Sequence, residues 1–75
     1  MTYKVAVVGA TGNVGRELLN ILSERRFPAR EVIALASKRS AGKEVSYGEE
    51  EILRVQALDD FSFADVDIAL FSPGS

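Results

Sequence analysis

The chain has 75 residues, 47% of them apolar and 27% charged, a composition that allows one globular domain and excludes a disordered tail. It holds no Cys and no His, so a disulfide framework and a typical zinc site are both excluded. A net charge of −2, from 9 basic and 11 acidic side chains, draws the chain neither to nucleic acid nor to an anionic membrane, and no apolar run is long enough to span a bilayer.

Tyr3-Lys4-Val5-Ala6-Val7-Val8 is short, β-branched and nearly all apolar, the pattern of a strand buried on both faces of a parallel sheet. No basic region, apolar stretch and small-residue cleavage site precede it, so a cytoplasmic protein is expected. Gly9-Ala10-Thr11-Gly12 breaks the strand, and from Asn13 the period becomes helical. Val14, Leu18, Ile21 and Leu22 form one apolar stripe, with Asn13 or Thr11 as its cap. Arg25 and Arg26 follow at the end that favours cations, and Pro28 forbids continuation.

Val32-Ile33-Ala34-Leu35-Ala36 repeats the buried-strand pattern, and the polar segment Ser37 to Lys43 reads as a loop. Lys43 to Gln56 is expected to form a small hairpin turning at Tyr47-Gly48-Glu49. Asp67-Ile68-Ala69-Leu70-Phe71 is a third apolar strand, closed by Ser72-Pro73-Gly74-Ser75. Phe61, Phe63 and Phe71 are expected in the core. Tyr3 and Tyr47 have no evident partner, and Asp59, Asp60, Asp65 and Asp67 read as turn and strand starters.

Strand, Gly turn, helix, strand, hairpin, strand is the N-terminal part of an α/β Rossmann-type doubly wound parallel sheet. The second and third strands are expected to flank the first, with one face of the sheet left bare. A full dinucleotide fold is built from two such halves. Residues 1–75 are therefore expected to be the N-terminal part of such a domain in a longer protein.

Gly9, Gly12 and Gly15 stand between strand and helix as G-A-T-G-N-V-G. A diphosphate approaching the backbone N–H groups at a helix N-terminus tolerates no side chain there. Gly9 permits the tight exit from the strand, Gly12 the close approach of the diphosphate, and Gly15 the packing of helix on strand. Thr11 offers a hydroxyl to a phosphate oxygen. The competing reading is a Gly-rich turn that binds nothing. A Walker A loop is excluded, since no Gly-Lys-Ser/Thr follows. At the end of the second strand, where NAD-specific folds keep an acid, stand Ser37-Lys38-Arg39-Ser40. Two cations and two hydroxyls suit the 2′-phosphate of NADP. The competing reading there is a solvated loop. Glu49-Glu50-Glu51 reads as a solvated hairpin face, no metal site is expected, and no nucleophile, general base or oxyanion constellation is present.

The run Val5 to Leu22, then Phe27-Pro28, Ala36-Ser37-Lys38-Arg39-Ser40-Ala41-Gly42-Lys43 and Asp67 to Ser72, resembles the N-terminus of the bacterial aspartate-semialdehyde dehydrogenase family. The resemblance covers nearly the whole chain, with Glu44 to Asp65 its least diagnostic part. It implies reversible NADPH-dependent reduction of L-aspartyl 4-phosphate to L-aspartate 4-semialdehyde, a step toward lysine, threonine, methionine and diaminopimelate. It assigns Thr11, Gly12, Asn13 and Val14 to the diphosphate, and Ser37, Arg39 and Ser40 to the 2′-phosphate. Ser72 and Gly74 match a family loop near the cofactor ribose and nicotinamide; Pro73 departs from it and removes a donor. The family's catalytic Cys, His and substrate-binding Arg fall beyond position 75, so no catalytic residue is assigned here. A small-molecule substrate and a homo-oligomer are implied for the full-length enzyme. Two other classes stay open: a non-catalytic nucleotide-sensing module, and the related N-acetyl-γ-glutamyl-phosphate reductase.

Overall fold

The β-branched run Tyr3–Val8 forms strand β1, and the computed structural model describes the chain over residues 3–49 and 51–72. After the glycine turn come helix α1 (Asn13–Glu24), β2 (Ala29–Ala36) and a 3-10 turn at Lys38–Ser40. Then follow β3 (Glu44–Tyr47), β4 (Glu51–Arg54), the two-residue β5 (Gln56–Ala57), a second 3-10 turn at Leu58–Asp60, and β6 (Ile68–Phe71).

Four strands make a parallel sheet in the order β5-β2-β1-β6, so β2 and β6 flank β1 as expected. Val5 pairs with Val32 on one side and with Ile68 on the other. β3 and β4 form the expected antiparallel hairpin, Val45 opposite Leu53. The sequence showed no sign of β5, which pairs with β2 at Leu35–Gln56 and Ala36–Ala57. The stretch Ser37–Lys43, expected as a plain loop, contains a 3-10 turn at Lys38–Ser40 instead.

Side chains alternate across the sheet because the strand period is two. Val5, Val7, Ala34 and Ala36 face α1 and the hairpin, where Leu19, Leu22, Val45 and Val55 complete the main core. Ala6, Ile33 and Leu35 face the other way. That second face is not bare, as the sequence suggested: Leu58, Phe61 and Val66 from the β5–β6 connection pack on it.

The helix stripe lies one position away from the expected one. Gly15, Leu19 and Leu22 are buried and Leu18 is half-buried, while Val14 and Ile21 are exposed. Gly15 allows α1 to lie so close to the turn that its own position, not that of Val14, heads the buried row. Neither Asn13 nor Thr11 caps the helix: the cap position is Gly12, with no side-chain hydrogen bond. At the other end the N–H of Arg25 donates to Ile21 O at 3.0 Å, and Arg26 turns to φ 50° before Pro28. Phe71 and Phe63, expected in the core, are exposed; Phe63 stacks edge-on against half-buried Phe61. Tyr3 does find a partner, the ring of Phe27 at 5.8 Å, and Tyr47 packs under α1 against the main core.

Candidate functional site

The C-terminal ends of β1 and β2 lie side by side, and each releases the chain into one of the predicted segments. Gly9 leaves β1 at φ +82°, a conformation that side chains disfavour. Its N–H and that of Ala10 both donate to Leu35 O, at 2.8 and 3.1 Å, which ties the turn to the last residues of β2. Gly9 O accepts from the Gly12 N–H at 3.1 Å and from the Ser72 hydroxyl at 3.3 Å, while the Ser72 N–H donates to Val8 O. Ser72 thus braces the turn from the β6 side.

The N–H groups of Thr11, Asn13, Val14 and Gly15 have no partner among the described residues. The first turn of any helix leaves such donors, and here Gly12 supplies no side chain to cap them. An ideal Cβ at Gly12 meets only Gly9 O, at 3.6 Å, an ordinary contact. The space above Gly12 is therefore free for a ligand. At Gly15 a Cβ would drive into the carbonyl of Gly9 and sit 2.8 Å from Ala10 Cα, so that glycine serves the packing of the helix.

A cleft of about 570 Å³ opens at this point. Its wall brings together Gly9, Thr11, Gly12, Asn13, Val14, Ser37, Ser40 and Ser72. Of the other predicted residues, Gly15 lies buried behind the turn, and Arg39 is exposed on the 3-10 turn without contributing to the wall. Arg39 makes no ion pair among the described residues. The predicted loop beyond Ser72 lies outside the described residues, as does Glu50. Four wall residues were not predicted: Val8 and Ala36 at the ends of β1 and β2, and Leu58 and Asp59, carried there by β5. The only sequence signal for Leu58 and Asp59 was the apolar pair Ala57-Leu58 ahead of Asp59-Asp60, which a turn explains equally well.

A second cleft of about 570 Å³ lies between the C-terminal half of α1 and the hairpin, with Ser23, Arg26, Tyr47 and Glu51 on its wall. Burial, and then the nearby Glu51 carboxylate, push the Tyr47 hydroxyl above its ordinary pKa and keep it neutral. None of the predicted residues lies there. The glycine cleft combines free backbone donors, hydroxyls and a position cleared of side chains, and these groups fit a diphosphate.

The family model for the semialdehyde dehydrogenase NAD-binding domain matches residues 4–75. The chain belongs to that family. As an NAD-binding domain by description, this family indicates a nicotinamide cofactor. The domain is 58% identical over 73 residues to an aspartate-semialdehyde dehydrogenase of Rickettsia bellii, covering 97% of this chain and 21% of the relative. It is 51% identical over 75 residues to one from Aquifex aeolicus, covering 99% and 22%. A crystal structure of aspartate semialdehyde dehydrogenase II from Vibrio cholerae, complexed with ASA, superposes with a TM-score of 0.90 at 44% identity, covering 97% of this chain and 24% of that one. The NAD-binding domain described here therefore spans about a fifth to a quarter of the length of the relatives it matches.

No helix among the described residues is long and apolar enough to cross a membrane.

Proposed function

We propose that this chain is the cofactor-binding segment of an NADP-dependent aspartate-semialdehyde dehydrogenase. The observation that carries this is the glycine cleft, with its uncapped helix N-terminus and with Ser37 and Ser40 on its wall in place of an acid at the end of β2. The names of the relatives support the choice of substrate.

The free N–H groups of Thr11, Asn13 and Val14 hold the diphosphate, with the helix dipole favouring its charge. The Thr11 hydroxyl donates to a phosphate oxygen. Gly12 keeps the approach open. Ser37 and Ser40 donate to a 2′-phosphate, and Arg39, exposed on the 3-10 turn between them in sequence, adds charge-assisted hydrogen bonds. Ser72 holds the turn in shape. When bound, the cofactor would supply hydride to the acyl carbon of L-aspartyl 4-phosphate, with phosphate leaving and L-aspartate 4-semialdehyde as the product. The acyl nucleophile and the acid/base group belong to the rest of the longer protein, together with substrate binding and dimerisation. We place that protein in the cytoplasm as a homo-oligomer, acting on a small-molecule substrate without nucleic-acid or membrane partners, in the biosynthesis of lysine, threonine, methionine and diaminopimelate.

The test is NADPH formation by the full-length protein from aspartate semialdehyde, phosphate and NADP. Turnover with these and not with N-acetylglutamate semialdehyde is the expected result. NADP binding without turnover of either would make the protein a nucleotide-sensing module instead.

A further inference from the structure

Asp59 is the one acidic or basic side chain on the wall of the glycine cleft among the described residues. It stands two residues past the end of β5, on the second 3-10 turn, with its side chain exposed. It makes no hydrogen bond or ion pair among the described residues, so its oxygens are free to accept.

Strand order decides what those oxygens can meet. The glycine turn, and with it the diphosphate, lies at the end of β1; Ser37 lies at the end of β2, and Asp59 beyond β5. Neighbouring strands are about 4.8 Å apart, so β2 is one step and β5 about 10 Å from the diphosphate. A dinucleotide laid across these ends puts its ribose over β2 and its base over β5. Leu58 and Ala36 give the wall apolar surface at that end for a ring to lie against. Adenine presents its exocyclic amine as a donor, and its ring nitrogens accept. An ionised carboxylate only accepts. Ribose hydroxyls are also donors, but they lie one strand closer, beside Ser37 and Ser40.

We infer that Asp59 reads the exocyclic amine of adenine, so that this end of the cleft selects an adenine dinucleotide over one carrying another base. The inference rests on the cofactor reading above. It gives the β5 end a role in specificity separate from that of the 2′-phosphate group.

The experiment compares NADP with its hypoxanthine analogue, in which a carbonyl replaces the amine, on the full-length protein. Wild type is expected to bind the analogue about 10- to 100-fold more weakly, because the carboxylate then faces an oxygen and loses a charge-assisted hydrogen bond. Asp59→Asn is expected to bring the two ligands within about threefold of each other, since an amide can accept from the amine or donate to the carbonyl. The side chain is exposed, so the thermal midpoint should not move, and a thermal melt run alongside checks that the variant is folded. Wild type that binds both dinucleotides equally overturns the inference and leaves the cofactor reading intact. Discrimination that survives in Asp59→Asn also overturns it, as does an equal loss for both ligands, which would put the carboxylate on ribose. Wild type that binds neither ligand overturns the cofactor reading and this inference together.

Discussion

Gly12 and Gly15 stand three residues apart and have opposite reasons to lack a side chain. A Cβ at Gly12 touches only Gly9 O at 3.6 Å, and its φ of −79° suits any residue. Gly12→Ala should therefore cost under about 1 kcal/mol of stability, the usual scale for a cap position. In the full-length protein it should still weaken NADP binding by tenfold or more, because the methyl fills the space the diphosphate needs. Calorimetric titration beside a thermal melt separates the two effects. Gly15→Ala should behave the other way, losing about 1–3 kcal/mol as the helix is forced off the turn. The urea midpoint of that variant measures it. The spacing of the glycines was legible in the sequence because each breaks an apolar pattern at a strand-to-helix junction. Which one faces ligand was legible only as a hypothesis, since it depends on where the helix axis lies. The missing cap follows from the same fact: with Asn13 already helical, the cap falls on a residue without a side chain.

Helix α1 is held by the row Gly15, Leu19 and Leu22, and Leu19 is wholly buried. Leu19→Ala should destabilise the chain by about 2–5 kcal/mol, whereas the exposed Ile21→Ala should cost far less; paired urea melts check the difference. At the opposite end of the sheet Asp67 joins three strands at their starts. It accepts from the Lys4 N–H at 2.8 Å and from Arg30 at 3.1 Å, and these bonds hold its carboxyl below the ordinary value of 3.8, the backbone bond foremost. A depressed folded pKa contributes stability above the unfolded value, lost as pH falls through the folded one. Stability should decline below about pH 4 on this account, and Asp67→Asn should flatten that decline in urea midpoints taken from pH 6 to pH 3. The long elements were readable because six to twelve residues carry a clear period. β5 was not: Gln56–Ala57 is too short for any period, and only its pairing with Leu35 and Ala36 makes it a strand. Leu58 and Asp59 were missed for that reason, since β5 is what carries them to the cleft.

In the molecule as a whole, the sheet order followed from two buried-strand runs around a central one. The cover on its second face did not, because Leu58, Phe61 and Val66 are scattered through a stretch with no period. Phe71 read as core from its apolar neighbours, yet it sits on the edge strand β6 and is 66% exposed. The chain holds no Cys and no His, so on the proposed function residues 1–75 alone should give no NADPH from aspartate semialdehyde, phosphate and NADP. Turnover that tracks the purified 75-residue chain would contradict this. The most direct test of the cleft as an NADP site is the affinity of the full-length protein for NADP and for NAD, in wild type and Arg39→Ala, at two salt concentrations. Hydrogen bonds to charged groups are worth about 1.5–3 kcal/mol, so the variant should lose about 10- to 100-fold for NADP. NAD carries no phosphate at that position, and its affinity should hardly change. A general surface-charge effect would instead be small and vanish with added salt. Equal loss for both cofactors, or no loss for either, would contradict the assignment of Arg39 and its neighbours to the 2′-phosphate.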